Sequence, residues 1–136
     1  MVITNSPEET IEFAKGLVKD LTPGDVFALT GELGAGKTCF VQGLAAGLGI
    51  NKKYYINSPT FTIMNIYEGG SLPLYHFDWY RLNSENDASD LGVEEFFDGK
   101  GVSVVEWAEK FSGLLPKRTK LVKIEVIGET KRRITI

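Results

Sequence analysis

The stretch Gly31-Glu32-Leu33-Gly34-Ala35-Gly36-Lys37-Thr38 constrains the fold more than any other, because it satisfies the pattern G-x-x-x-x-G-K-[ST]. Glycines let a loop wrap closely around a polyphosphate, with successive backbone N–H groups turned inward as an anion nest. At this spacing Lys37 reaches the β- and γ-phosphates of a bound nucleotide and the Thr38 hydroxyl ligates Mg²⁺. The helix that follows aims its positive end at the same charge. A loop of this kind needs a buried strand before it and a helix after it. Val26-Phe27-Ala28-Leu29-Thr30 supplies the apolar strand. Phe40, Val41, Leu44, Ala45 and Leu48 then repeat on one helical face, and Gly49 supplies the C-terminal stop. The context predicts an α/β fold of the P-loop NTPase kind: a three-layer sandwich with a mixed, largely parallel sheet and some antiparallel strands.

Composition narrows the setting. A chain of 136 residues with 43% hydrophobic and 24% charged side chains is expected to form one domain, residues 1–136, with a core of its own. No apolar run approaches the ~20 residues that span a bilayer, and the first residues lack the basic flank and apolar stretch of a signal peptide. The single cysteine, Cys39, allows no intramolecular disulfide, so the expected home is the reducing cytoplasm. A net charge of −3 argues against a chain built mainly to grip nucleic acid. Its basic clusters, such as Lys131-Arg132-Arg133, read as solvated surface.

Ser6-Pro7-Glu8-Glu9 reads as a helix start with a capping box, followed by the stripe Ile11, Ala14, Leu17, Val18 and Leu21. Pro23-Gly24-Asp25 turns the chain into the strand before the motif. Strands near Phe61–Glu68 and Leu74–Tyr80 predict an antiparallel hairpin, with Leu74, His76 and Asp78 on one face and Tyr75, Phe77 and Trp79 on the other. Ser84 and Asp87 form a second capping pair, opening an acidic helical stretch to Phe96-Phe97. Val102–Glu106 is a buried-strand pattern ending in an acid, followed by a short helical piece, Ala108–Phe111. Alternation over Thr119–Ile127 predicts an antiparallel strand wet on one face, and Arg132–Ile136 a final strand.

ATP hydrolysis at such a loop needs a carboxylate to organise Mg²⁺ and the attacking water, at the end of a neighbouring apolar strand. Asp78 and Glu106 compete for this task. Glu106 is assigned to the metal and Asp78 to the lytic water, although the two roles are interchangeable on sequence grounds. Ser58-Pro59-Thr60 stands where many P-loop proteins carry a segment that closes over the γ-phosphate, so Thr60 is a candidate ligand. It reads equally well as the start of a strand. His76 reads as a satisfied core histidine, Trp79 as packing, and Trp107 as either packing or a shield.

Together, Gly31–Thr38, Ser58-Pro59-Thr60-Phe61, His76-Phe77-Asp78-Trp79-Tyr80-Arg81-Leu82, Leu91-Gly92 and Val105-Glu106-Trp107 resemble the TsaE (YjeE) family over almost the whole chain. These are bacterial P-loop ATPases of tRNA threonylcarbamoyladenosine synthesis. The resemblance implies an ATPase that associates with the TsaB–TsaD pair, which transfers a threonylcarbamoyl group to adenosine 37 of tRNAs reading codons that begin with A. ATP would drive or reset that pair, and tRNA would be met only through the complex. By motif, Thr38 and Glu106 match the family's magnesium site, Lys37 its phosphate lysine, Asp78 its essential acid and Thr60 its switch-like threonine. Adenine in the family lies between the N-terminal helix and the C-terminal strands, which points near Thr10 and the Arg132-Arg133 turn. The second reading is a small P-loop kinase, but no arginine-rich lid follows the motif helix. Asn51-Lys52-Lys53-Tyr54 lacks the aspartate of a guanine-reading element, and a scaffold without hydrolysis leaves the two acids unexplained. The acidic stretch Glu85–Glu95 is a candidate partner-facing surface, or an ordinary solvated helix.

Overall fold

Seven strands build one sheet, in the order β1-β7-β6-β2-β5-β4-β3, in a computed structural model that describes residues 1–32, 34–51, 56, 59 and 62–136. In chain order the strands are β1 (Val2–Thr4), β2 (Val26–Thr30), β3 (Met64–Tyr67), β4 (Leu74–Asp78), β5 (Val102–Glu106), β6 (Lys120–Val126) and β7 (Arg132–Thr135). The helices are α1 (Pro7–Leu17), α2 (Lys37–Leu48), α3 (Glu85–Asp90) and α4 (Val93–Phe97), with 3₁₀ turns at Val18–Asp20 and Ala108–Leu114. The centre, β6-β2-β5-β4, is parallel, and the pairs β3–β4, β6–β7 and β1–β7 are antiparallel. The expected mixed α/β sandwich is therefore the observed one.

Two apolar layers lie against the sheet. On one face Phe27, Leu29, Val104, Val122 and Ile124 pack under α1 and α2 through Ala14, Phe40, Val41 and Leu44. On the other, Val26, Ala28, Phe77 and Val105 pack under α3, α4 and the second 3₁₀ turn through Ala88, Val93, Phe97 and Phe111. The β4 alternation falls as predicted, with Trp79 wholly buried in the second layer. Where α1 crosses α2 the backbones nearly touch. A Cβ on Gly43 would lie 2.6 Å from that of Ala14, and one on Gly47 2.8 Å from the carbonyl oxygen of Lys15.

Several elements depart from the sequence expectation. The helix predicted to reach Leu21 stops at Leu17 and tightens into the 3₁₀ turn, since Gly16 and the approach to Pro23 favour neither continuation nor a clean cap. Ser6 Oγ does accept from Glu9 N–H at 3.1 Å, but the Glu9 carboxylate reaches back to Asn5 N–H at 2.6 Å, one residue before the expected partner. β6 is antiparallel only to β7; its other edge runs parallel to β2. Alternation reports which face is buried and is blind to the direction of the neighbour. Val126, which the alternation turns to the same face as Val122 and Ile124, is 41% exposed while those two are buried. The acidic stretch is two short helices broken at Gly92, which takes the left-handed φ of 77°, with Ala88, Val93 and Phe97 inward and the carboxylates outward. The short β1 carried no sequence signal; it pairs with β7 through Val2↔Ile134. No helix among the described residues is long and apolar enough to cross a membrane.

Candidate active site

Parallel strands end together, and here their shared carboxyl edge collects the chemistry. Asp78 stands opposite Glu106 in the β4–β5 register, and Glu106 opposite Leu29 in β5–β2. The glycine loop leaves β2 two residues after Leu29, so both acids flank its departure. Open parallel sheets commonly bind ligands at such an edge. A cavity of about 660 Å³ opens there, lined by Glu32, Gly34, Gly36, Lys37, Thr38, Cys39, Asp78, Tyr80, Glu106 and Trp107. Thr10 does not line it; its hydroxyl is buried against that of Thr4 at 2.7 Å. Leu33 and Thr60, both predicted nucleotide ligands, lie outside the described residues, as does Ser58.

The loop depends on glycine at close quarters. A Cβ on Gly31 would lie 2.6 Å from the carbonyl oxygen of Ile124, and Gly36, the cap of α2, has φ 105°. Lys37 opens α2, buried, and its Nζ donates to the Gly31 carbonyl at 2.9 Å while lying 5.0 Å from the centre of the Trp107 ring. The ammonium is thus held over the cavity by one carbonyl and one aromatic face. Trp107 has a left-handed backbone (φ 59°) directly after β5, which brings its ring to 4.9 Å from that of Tyr80, itself 55% exposed. Lys110 fixes the Tyr80 segment by donating to the carbonyls of Tyr80 and Leu82 at 2.7 and 2.6 Å.

The acids have different surroundings. Asp78 Oδ1 accepts from Tyr80 N–H at 2.9 Å, a turn that ties the carboxylate to the segment carrying the aromatic ring. Glu106 Oε2 lies 2.6 Å from His76 Nε2, which donates to it; that tautomer is assigned from the contact. His76 is fully buried and its Nδ1 has no hydrogen-bond partner among the described residues. The expected satisfied core histidine is instead half-satisfied and attached to the site. The signal was in reach: His76 lies two residues before Asp78 and therefore on the same face. Arg132, at the start of β7, donates to the carbonyls of Ala35 at 2.9 Å and Gly34 at 3.3 Å, a contact with the loop that sequence reasoning missed. The Cys39 thiol is pushed up, first by burial and then by Glu8, with the Arg132 charge opposing.

The donor set suits magnesium. Mg²⁺ is held by one or two carboxylates plus substrate oxygens and waters, not by a dense protein cage. No group of three or more His, Cys, Asp or Glu residues capable of holding a metal occurs among the described residues. Thr38 and the buried Glu106 carboxylate line the same cavity, which is the arrangement such an ion needs.

The family model described as "Threonylcarbamoyl adenosine biosynthesis protein TsaE" matches residues 4–134. The chain belongs to the TsaE family. It is 48% identical over 132 residues to the Bacillus subtilis (strain 168) tRNA threonylcarbamoyladenosine biosynthesis protein TsaE, covering 97% of this chain and 81% of that one. It is 42% identical over 134 residues to the TsaE of Treponema pallidum (strain Nichols), covering 98% and 97%. A crystal structure of Bacillus subtilis YdiB superposes with a TM-score of 0.83 at 41% identity, covering 98% of this chain and 80% of that one. Membership places the chain in tRNA threonylcarbamoyladenosine biosynthesis, and the fold of this TsaE-family protein is shared with a solved structure.

Proposed function

We propose that this TsaE-family chain is a Mg²⁺-dependent ATP-binding protein that hydrolyses ATP slowly alone. In the cytoplasm it would support N6-threonylcarbamoyladenosine synthesis on tRNA by associating with the TsaB–TsaD pair. The observation that carries this reading is the register that sets Asp78 beside Glu106 at the edge where the glycine loop, Lys37 and Thr38 meet. Lys37 would exchange the Gly31 carbonyl for the β- and γ-phosphates, and the loop amides and the start of α2 would hold the rest of the polyphosphate. Thr38 and Glu106 would hold Mg²⁺, which neutralises charge developing on the phosphates. Asp78 would orient or deprotonate the lytic water, and Tyr80 and Trp107 would screen it from bulk solvent. Among the described residues no arginine lines the cavity, as it would in a small-molecule kinase with an arginine-bearing lid.

Phosphate release from ATP is measured for the purified chain alone, with TsaB–TsaD, and with tRNA added. The expected result is weak release alone, ATP-dependent association with the pair, and t6A formation that requires both. Lys37→Ala and Asp78→Ala should each lower turnover by at least about a hundredfold, and Glu106→Ala should flatten its dependence on Mg²⁺. Efficient phosphoryl transfer to a nucleoside or sugar would overturn the reading in favour of a kinase. Normal hydrolysis by Asp78→Ala would remove that acid from the chemistry.

A further inference from the structure

The Arg132 guanidinium spans two parts of the chain far apart in sequence. Its Nη1 donates to the carbonyls of Lys131 at 2.9 Å and Gly128 at 3.1 Å, inside the turn joining β6 to β7. Its Nε and Nη2 donate to the carbonyls of Ala35 and Gly34 in the glycine loop. No carboxylate pairs with it among the described residues, whereas its neighbour Arg133 faces Glu125 at 3.9 Å. A guanidinium presents its donors in a rigid planar fork, so two loop carbonyls held by one fork are fixed relative to each other.

That matters because of where the opposite ends of those peptides point. A trans planar peptide sets C=O and N–H on opposite sides. Anchoring the Ala35 oxygen on Arg132 therefore turns the Gly36 N–H away from Arg132, and Gly36 lines the cavity. This amide makes no hydrogen bond among the described residues, while the Ala35 amide is already spent on the Glu32 carbonyl at 3.0 Å. The Gly36 backbone has a left-handed φ of 105°, a region that glycine occupies without fixing it. Something outside the loop must set this peptide.

We infer that Arg132 is a positioning residue for the loop: it holds the Ala35–Gly36 peptide with its N–H aimed into the cavity, and its unneutralised charge adds to the pull on an anion there. Its hydrogen bonds to the loop go to backbone carbonyls, so its effect should fall on phosphates whatever base they carry. The inference rests on the phosphate-binding reading of the cavity.

The test uses the full chain and its Arg132→Gln and Arg132→Lys variants. Calorimetric titration gives the affinities for ADP and for inorganic pyrophosphate, and amide hydrogen exchange follows Gly36 against the β2 amides without ligand. Arg132→Gln should weaken both ligands about tenfold and speed Gly36 exchange while leaving β2 unchanged. Arg132→Lys, which keeps the charge and loses the fork, should fall between, and it carries the test if the Gln variant does not fold. Loss of ADP affinity with pyrophosphate unaffected would mean that Arg132 acts on the base, and would overturn the inference. So would unchanged affinities, or equal acceleration of Gly36 and β2 exchange. If the unsubstituted chain binds neither ligand the phosphate reading fails, and the Gly36 exchange rates still decide whether the clamp exists.

Discussion

His76 and Trp107 show how single side chains prepare this site before any ligand arrives. A carboxylate that is to hold a metal must be aimed, and the 2.6 Å contact from His76 Nε2 fixes one oxygen of Glu106, a residue that lines the cavity. Partners of metal ligands commonly govern affinity by ten- to a hundredfold. His76→Leu is accordingly expected to raise the Mg²⁺ concentration needed for half-maximal ATP binding by about tenfold or more, and His76→Gln, which can still donate, by less. A magnesium titration of nucleotide binding reads this directly, and an unchanged midpoint would release Glu106 from the metal. Trp107 offers a second readout, because its ring lies 5.0 Å from the Lys37 ammonium. When Lys37 turns to a phosphate, the emission of Trp107 should change. Trp79, sealed in the opposite layer, should not respond, so the signal should survive Trp79→Phe and vanish in Trp107→Phe.

At the scale of elements, the close crossing of α1 and α2 is the most exacting contact. Gly43 has no room for a methyl group against Ala14 and the Ile11 carbonyl. Gly43→Ala should therefore destabilise the chain by about 1–3 kcal/mol, measured by urea denaturation, although alanine is the better helix former. Elements whose burial is periodic were legible in the sequence: α2 with its Gly49 stop, the β3–β4 hairpin, and β5 with all five residues buried. What escaped depends on neighbours remote in the chain. Nothing local in Lys120–Val126 says that β2 lies parallel beside it, and three residues of β1 hold no period. The site divides the same way. Lys37, Thr38, Asp78 and Glu106 converge as their motifs implied, because strand-end position is a local property that parallel pairing converts into proximity. The His76–Glu106 contact and the reach of Arg132 to Ala35 span 30 and 97 residues, and no spacing rule announces them.

For the whole molecule, the two apolar layers clamp the sheet so that its carboxyl edge is a rigid rim for the cavity. A ligand bound there stabilises only the folded chain. At a hundredfold excess over its dissociation constant MgATP should add about 2.7 kcal/mol, raising the thermal midpoint by about 9 °C for a chain of this size. ATP with EDTA should give a clearly smaller rise, and the shift should disappear in Lys37→Ala. The antiparallel pairing of β1 with β7 bears on how the molecule comes into being. Val2 finds Ile134 only after the 131 residues between them have been made. A nascent chain on the ribosome can assemble β2, α2 and the β4–β5 pair while β7 is still in the exit tunnel, but its first strand must wait unpaired. The arginine that braces the glycine loop arrives with β7. Synthesis thus delivers the loop before its support, so nucleotide competence should be acquired only once β7 has left the exit tunnel.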